Sequence, residues 1–549
     1  MHEVAVRDAV RRLYVHFRSA HVQLTARQEL RHNCPRMNRR NIFLAATFLA
    51  AMALPLAAAT CESLASLSLP DTTIISAQKV GTGEFTPPAG RGGGGRGPNY
   101  KELPAFCRVQ ASLKPTADSD IWIEVWLPLE NWNGRFEGTG NGAWAGSIGL
   151  PPLAAALKRG YAVAGTDTGH TGASAAFAIE HPEKLIDFEW RSIHEMTVKG
   201  KAITSAFYSG GATGSGVDLK YSYFSGCSTG GRQALKEAQR FPSDYDGIIV
   251  GDPGAYTTVQ VIRQVATWQA AHKTEGSLIP AEKLAMLHRA VLDQCDALDG
   301  VKDGVLENPR RCKFDPKTIQ CKGQDEPSCL TAAQVETARA SYTSPKNPRT
   351  GKDIFFGYEP GSELGWENGQ KQPLGFAVDT LRYGLFKDPK WDPATVNYDS
   401  DVATVLKVGG EPLDARDPDI RPFINRGGKL LMYHGLTDPG IPPAVSLTYY
   451  QAALARLTSR QNPKDDIRLF LVPGMNHCGG GDGPNEFDAL TAIEQWRENG
   501  KAPTQIIAEH QTNGALDRTR PLCPYPQVAV YKGTGSTDEA ANFTCAAPK

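Results

Sequence analysis

The sequence predicts an α/β fold: a mostly parallel central sheet flanked by helices and interrupted by one large insertion. Two observations predict it. Short apolar runs bounded by Gly, Pro or Asp recur at residues 121–127, 160–166, 221–226, 247–251, 429–433 and 467–472, which is how strands read. Helix-compatible stretches at 192–208, 231–240 and 444–457 sit between several of them. Strands that alternate with helices build parallel sheets.

Composition agrees with a folded chain. The 549 residues carry 59 Lys+Arg against 59 Asp+Glu, with 41% hydrophobic and 21% charged residues. That balance excludes a disordered or collagen-like polymer and leaves no electrostatic case for a nucleic-acid partner. The charge is uneven, however. Residues 1–40 hold nine Arg and three acidic residues, and the remainder is about 6 units acidic.

Met37 opens a second start within that basic stretch. Arg39 and Arg40 form a positive n-region, residues 42–56 an uncharged apolar h-region, and Ala57, Ala58 and Ala59 a small-residue cleavage site. Residues 37–59 therefore read as a secretory signal, and the mature chain is expected to be secreted or periplasmic. A transmembrane anchor needs about 20 apolar residues and finds fewer here, so no membrane contact is expected after cleavage. A lipid anchor on Cys61 is disfavoured by Thr60, which stands where a small Gly or Ala is expected. Residues 1–36 read as an upstream segment outside the native protein.

Cys34 lies in that upstream segment, and ten cysteines follow the signal. An even set in an exported chain allows up to five disulfides without revealing which cysteines pair. Zinc is the competing explanation, but no paired CxxC and no HExxH is present.

The exported chain divides into three parts. Residues 60–252 form the first part of the sheet domain. They begin with a Gly-rich run at 90–98 that reads as a surface loop; no Gly-Lys-Ser/Thr follows to make it a phosphate cradle. The first strand is at 121–127, where Ile121, Ile123, Val125 and Leu127 alternate with Trp122, Glu124 and Trp126. Residues 253–415 lose the strand rhythm, carry four cysteines and many Pro, Asp and Lys, and read as an inserted lid. Its expected place is over the carboxyl edge of the sheet, where open α/β folds bind ligands. Residues 416–549 resume the sheet domain.

Gly226-Cys227-Ser228-Thr229-Gly230 is a G-x-S-x-G between an apolar run and a helix-compatible stretch. That context suits a nucleophile elbow, a sharp strand-to-helix turn that exposes Ser228 Oγ beside a helix N-terminus. An α/β-hydrolase then needs an acid and a His later in the chain, each on a loop after a strand. Asp438 follows the 429–433 run and His477 the 467–472 run, so Ser228, Asp438 and His477 occur in the hydrolase order. Ser228 is expected to attack a carbonyl, His477 to carry its proton, and Asp438 to orient the imidazole. His434 is the rival base; it precedes Asp438 at a strand end and reads as a structural or pocket residue. The oxyanion hole is expected from the Thr229 N–H and from the Gly-rich loop at 138–142, with Gly140 and Gly142 as candidates. Those glycines could instead only form a tight turn.

A Cys precedes the expected nucleophile (Cys227-Ser228) and another follows the expected base (His477-Cys478). With Leu103–Val109, Trp132-Asn133-Gly134, Gly226–Arg232 and Arg520–Pro526, this arrangement resembles the tannase and feruloyl esterase family of α/β-hydrolases, from about Cys61 to Cys545. The resemblance implies a bridge Cys227–Cys478 between the two catalytic loops, together with Cys61–Cys107, Cys295–Cys312, Cys321–Cys329 and Cys523–Cys545. It implies a secreted serine esterase acting on small aromatic esters or plant polyphenol and cell-wall esters. A feruloyl, hydroxycinnamic-type acyl group is favoured; galloyl esters of tannins and monoesters of terephthalic acid are the alternatives. Terephthalate is disfavoured because Lys387 stands where a small polar residue would suit it. From other classes, an inert polyphenol- or glycan-binding protein and a peptidase with the same three residues compete.

Asp296, Asp299 and Asp303 crowd three carboxylates into eight residues beside Gly300 and Gly304. They repel one another unless a hard cation such as Ca²⁺ neutralises them, and a solvated acidic turn is the alternative. The resemblance implies a structural calcium in the lid, held by Asp296, Asp299 and Asp303 and by the carbonyls of Val301 and Val305. It also likens 382–389 to a lid stretch lining the acyl pocket. Phe386 would then stack on an aromatic acid and Arg382 would face a polar substituent. The alternatives are lid core for Phe386 and a structural ion pair for Arg382. No organic cofactor is expected, and the oligomeric state is left open.

Overall fold

The structure, a computed structural model, describes residues 60–88, 99–208, 218–410, 412–458 and 462–548. The upstream segment, the signal 37–59 and the Gly-rich run 90–98 lie outside them. Nine strands form the main sheet: β1 (Thr72–Val80), β2 (Phe106–Leu113), β3 (Ile121–Pro128), β4 (Arg135–Thr139), β5 (Ala162–Thr166), β6 (Tyr221–Cys227), β7 (Gly247–Gly251), β8 (Lys429–Gly435) and β9 (Ile467–Val472). Their order is β1-β2-β3-β5-β4-β6-β7-β8-β9. β1, β2, β3 and β5 pair antiparallel, and from β5 across to β9 every pairing is parallel.

β5 and β7 are buried at every position, as strands covered on both faces must be. On one face, α2 (Ser192–Tyr208), α3 (Thr229–Arg240) and α8 (Ala444–Arg456) contribute Ile193, Met196, Leu235 and Val445 to the core. On the other, α1 (Leu150–Lys158) and α9 (Ala489–Asn499) contribute Leu153, Leu157, Ile493 and Trp496. The six expected strands all form, with ends within two residues. The sequence reading passes over β1, β2 and β4. β4 carries Arg135 and Glu137 among its five residues, so its pattern reads as polar although Glu137 is buried.

Between β7 and β8 the main sheet gains no strand. The chain there builds α4 (Thr257–Ala271), α5 (Ala281–Cys295), α6 (Ala332–Tyr342) and α7 (Ser400–Gly409). These helices do not stand apart. Trp144 and Phe188 of the sheet domain share one apolar cluster with Val261, Ile262, Leu381 and Leu385 of the insertion. After β9 come a small antiparallel sheet, β10 (Glu486–Phe487), β11 (Ile506–Thr512) and β12 (Ala515–Leu522), and a hairpin, β13 (Val528–Tyr531) with β14 (Phe543–Ala546). Among the described residues five disulfides form: Cys61–Cys107, Cys227–Cys478, Cys295–Cys312, Cys321–Cys329 and Cys523–Cys545. Among the described residues no helix is long and apolar enough to cross a membrane.

Candidate active site

β6 ends at Cys227, and α3 begins at Thr229. Ser228 between them has φ 63 and ψ −120, a conformation that a residue with a Cβ adopts only when its surroundings hold it there. The surroundings do. Ser228 N–H donates to Gly251 O at 3.0 Å, and Ser228 O accepts from Gly254 N–H at 3.1 Å, which ties the turn to the end of β7. A Cβ on Gly226 would lie 2.3 Å from Gly230 O, so only glycine lets the strand and helix meet this closely.

β8 and β9 deliver the partners. Asp438 is fully buried after β8. Its Oδ1 accepts from the N–H groups of Gly440 (2.7 Å) and Ile441 (2.9 Å), and its Oδ2 accepts from His477 Nδ1 at 2.6 Å. A carboxylate only accepts, so Nδ1 carries the proton. Burial alone would raise the Asp438 pKa; the His477 charge and the two histidine hydrogen bonds outweigh it and hold the carboxylate below the usual range. Burial works against protonation of His477, but the Asp438 charge and hydrogen bond win, with help from Asp252, and the ring is raised to about 9. Its side chain stays 32% exposed and lines the same cleft as Ser228. Cys227 and Cys478, bridged with Cα atoms 6.0 Å apart, join the two loops.

His434 does not reach the cleft. It is fully buried, with Nε2 donating to Ile441 O (2.8 Å) and Nδ1 on Ser446 Oγ (2.7 Å). Nε2 also lies 3.4 Å from Asp438 Oδ2 and 3.6 Å from Asp252 Oδ1. Asp252, which the sequence reading passes over, is fully buried at φ 36 after β7. Its Oδ1 accepts from Gly435 N–H, and its Oδ2 lies 3.3 Å from Cys227 Sγ. A disulfide sulfur has no proton to donate, so this contact is a hydrogen bond only when Asp252 is the protonated partner. Burial, opposed by the His434 charge and reinforced by Asp438, raises Asp252 to about 6. An acidic residue directly after a strand, in Gly251-Asp252-Pro253, was the signal available in the sequence.

The cleft holds about 720 Å³. Residues 107–546 match the family described as Tannase and feruloyl esterase. The chain belongs to the tannase and feruloyl esterase family. It is 38% identical to an uncharacterized esterase of Xanthomonas campestris pv. campestris, over 89% of this chain and 91% of that one. It is 37% identical to a probable feruloyl esterase B-1 of Aspergillus flavus, over 79% and 85%. The crystal structure of feruloyl esterase B from Aspergillus oryzae superposes with a TM-score of 0.80 at 29% identity, covering 88% of this chain and 99% of that one. The protein is a carboxylic ester hydrolase.

The esterase corrects two sequence-based expectations. Gly140 is not free to serve an oxyanion, because its N–H donates to Ser225 O at 2.9 Å. What Gly140 provides is closeness: a Cβ there would sit 2.6 Å from Gly230 Cα. The Asn141 N–H is likewise taken, by Gln233 Oε1. Gly142 N–H donates to no protein group among the described residues, and Thr229, first in α3, has no intrahelical acceptor. Both line the cleft.

The second correction concerns the lid stretch, which does not line the cleft. Arg382 donates from Nε and Nη2 to Trp391 O, and Phe386 packs on Trp391 with ring centroids 5.4 Å apart. The lid side of the cleft is lined instead by Gly254, Thr257, Gln260 and Gln264 at the start of the insertion and by Leu374 and Phe376.

The acidic loop is prebuilt. Asp296 caps the N–H groups of Asp303 and Gly304, Asp299 those of Val301 and Glu307, and Asp303 that of Val305, while Arg520 pairs with Asp303. Val301 and Val305 are buried, and among the described residues their carbonyls accept no hydrogen bond. Three carboxylates beside two unengaged carbonyls fit a hard cation by donor type. The side-chain sets whose ligand atoms come within 4.8 Å of one another lie elsewhere, at Cys227–Asp252–Cys478 and Asp252–His434–Asp438. The first is a disulfide with a carboxyl group, and the second is the charge cluster behind His477.

Proposed function

We propose that this chain is an exported serine esterase that cleaves esters of aromatic, hydroxycinnamic-type acids through an acyl-enzyme. The observation that carries this reading is Ser228, on a strained elbow, sharing one cleft with a histidine whose far nitrogen is bound to a buried carboxylate.

Ser228 Oγ attacks the ester carbonyl carbon as His477 Nε2 takes its proton, and Asp438 holds the imidazolium. The carbonyl oxygen becomes an oxyanion, for which the unengaged N–H groups of Thr229 and Gly142 would be the donors. Return of the proton from His477 to the alcohol oxygen lets the C–O bond break, leaving an acyl ester on Ser228. Water, deprotonated by His477, then attacks this ester, and return of that proton to Ser228 Oγ as the acyl C–O bond breaks releases the acid and restores Ser228. The apolar wall of Leu374 and Phe376 suits an aromatic acyl group.

Asp296, Asp299, Asp303 and the carbonyls of Val301 and Val305 would hold a calcium ion, which supplies charge neutralisation to the lid and no chemistry. The 37–59 signal would direct export, which N-terminal sequencing of the protein recovered outside the cytoplasm tests. The central experiment is hydrolysis of methyl ferulate, methyl gallate and a terephthalate monoester by wild type and Ser228→Ala. Turnover of methyl ferulate that vanishes in Ser228→Ala is expected; equal turnover by the two proteins would sink the mechanism.

A further inference from the structure

The turn that carries Gly142 is held from the lid. Ala145 N–H donates to Gly142 O at 2.9 Å, which closes a tight turn through Ala143 and Trp144. Ala143 stands at φ 43, a conformation that a residue with a Cβ keeps only when its surroundings impose it. On one side, Thr229 Oγ1 donates to Ala143 O at 3.1 Å and ties the turn to the first residue of α3. On the other, Trp144 is 1% exposed and lies in the cluster shared by sheet domain and lid. Its ring stacks on Phe188, with centroids 4.1 Å apart, and its indole N–H donates to Thr380 Oγ1 at 3.0 Å. Phe188 and Thr380 each sit in a π-helical turn, Asp187–Arg191 and Thr380–Leu385, a rare local geometry found mostly at functional sites.

Thr380 is fully buried in the lid. Its hydroxyl donates to Phe376 O at 2.6 Å, which leaves a lone pair for the indole. Phe376 lines the cleft, and its ring centroid lies 6.0 Å from that of Trp144. Packing alone asks only for a large ring at position 144. The directed bond to Thr380, 236 residues away in the chain, fixes where that ring sits, and with it the turn. Gly142 belongs to no strand or helix that could fix it otherwise, and a backbone donor stabilises an oxyanion only when it is preset at the oxyanion's position. We propose that Trp144 is a positioning residue: anchored on Thr380 of the lid, it holds the Gly142 N–H where the oxyanion forms. This inference rests on the esterase reading above, with Gly142 as an oxyanion donor.

The test is steady-state hydrolysis of methyl ferulate by wild type, Thr380→Val, Thr380→Ser and Trp144→Phe. Thr380→Val keeps the shape of the side chain and removes its hydroxyl, while Phe376 O still accepts the backbone N–H of position 380. In this variant kcat is expected to fall by at least about tenfold with KM within about twofold of wild type, since a displaced donor weakens the transition state and not the bound ester. Thr380→Ser keeps the acceptor and should keep kcat. Trp144→Phe should match Thr380→Val; if its smaller ring prevents folding, the two Thr380 variants decide. Phenylboronic acid, whose tetrahedral adduct on Ser228 puts an oxygen at the oxyanion position, should lose affinity in Thr380→Val by the factor lost in kcat. An unchanged kcat in folded Thr380→Val, or one lowered equally in Thr380→Ser, would overturn the proposal, as would a loss confined to KM. Absence of turnover by wild type would strike the esterase reading, and this proposal with it, before any variant is compared.

Discussion

Cys227 and Cys478 lie 251 residues apart in sequence and 6.0 Å apart at their Cα atoms, bridged between the proposed nucleophile and the proposed base. Each is the immediate chain neighbour of a residue whose position decides the chemistry, so the bridge sets how the Ser228 and His477 loops stand to each other.

Removing this bridge with the double substitution Cys227→Ala/Cys478→Ala is expected to destabilise the fold by about 2–5 kcal/mol. A fall in kcat larger than the rise in KM should accompany it, because positioning rather than binding is lost. Calorimetry and ester kinetics check this; unchanged kcat in a folded double variant would show that the loops hold their geometry unaided.

The pH dependence follows from His477. The base works only when neutral, and its pKa is raised to about 9, so activity should rise with pH along a limb displaced above the ordinary histidine value. Asp252 contributes to that upward shift. Asp252→Asn removes a negative charge, disfavours the imidazolium, and should move the limb toward lower pH. A kcat/KM profile between pH 5 and 10 for the two proteins reads the displacement; coincident limbs would remove Asp252 from the electrostatics of the site.

Calcium is expected to stabilise the lid by neutralising Asp296, Asp299 and Asp303. Treatment with a calcium chelator should lower Tm, and added Ca²⁺ should restore it. Asp299→Asn should abolish this response. A Tm indifferent to chelator would leave the loop to its backbone hydrogen bonds and Arg520.

Phe376 and Phe386 should behave differently. Phe376 lines the cleft and also packs on the cluster of Trp144, so Phe376→Ala is expected to raise KM for aromatic esters about tenfold along with its cost in stability. Phe386 packs on Trp391 in the cluster shared by lid and sheet domain, away from the cleft lining, so Phe386→Ala should cost about 1–3 kcal/mol of stability with KM close to wild type. The reverse pattern would return Phe386 to the acyl pocket.

Local patterns made much of this legible. Period-two alternation announces Ile121–Leu127, and strand-turn-helix context announces Ser228. β4 was harder to see, because its buried Glu137 makes a strand read as polar surface. Phe386 and Phe376 are ten residues apart in one aromatic-rich stretch, and nothing in that stretch says which ring meets Trp391 and which lines the cleft.

The sequence by itself determined the fold class, the chain order Ser228–Asp438–His477 and the even set of cysteines, because these depend on spacing along the chain. Only the tertiary structure decided that Gly140 spends its N–H on Ser225, that Asp252 sits behind the disulfide, and that Arg382 turns onto Trp391 O. A hydrogen-bonding group is spent or free according to what stands within about 3 Å of it. In a parallel sheet that neighbour comes from another strand or helix far away in the chain.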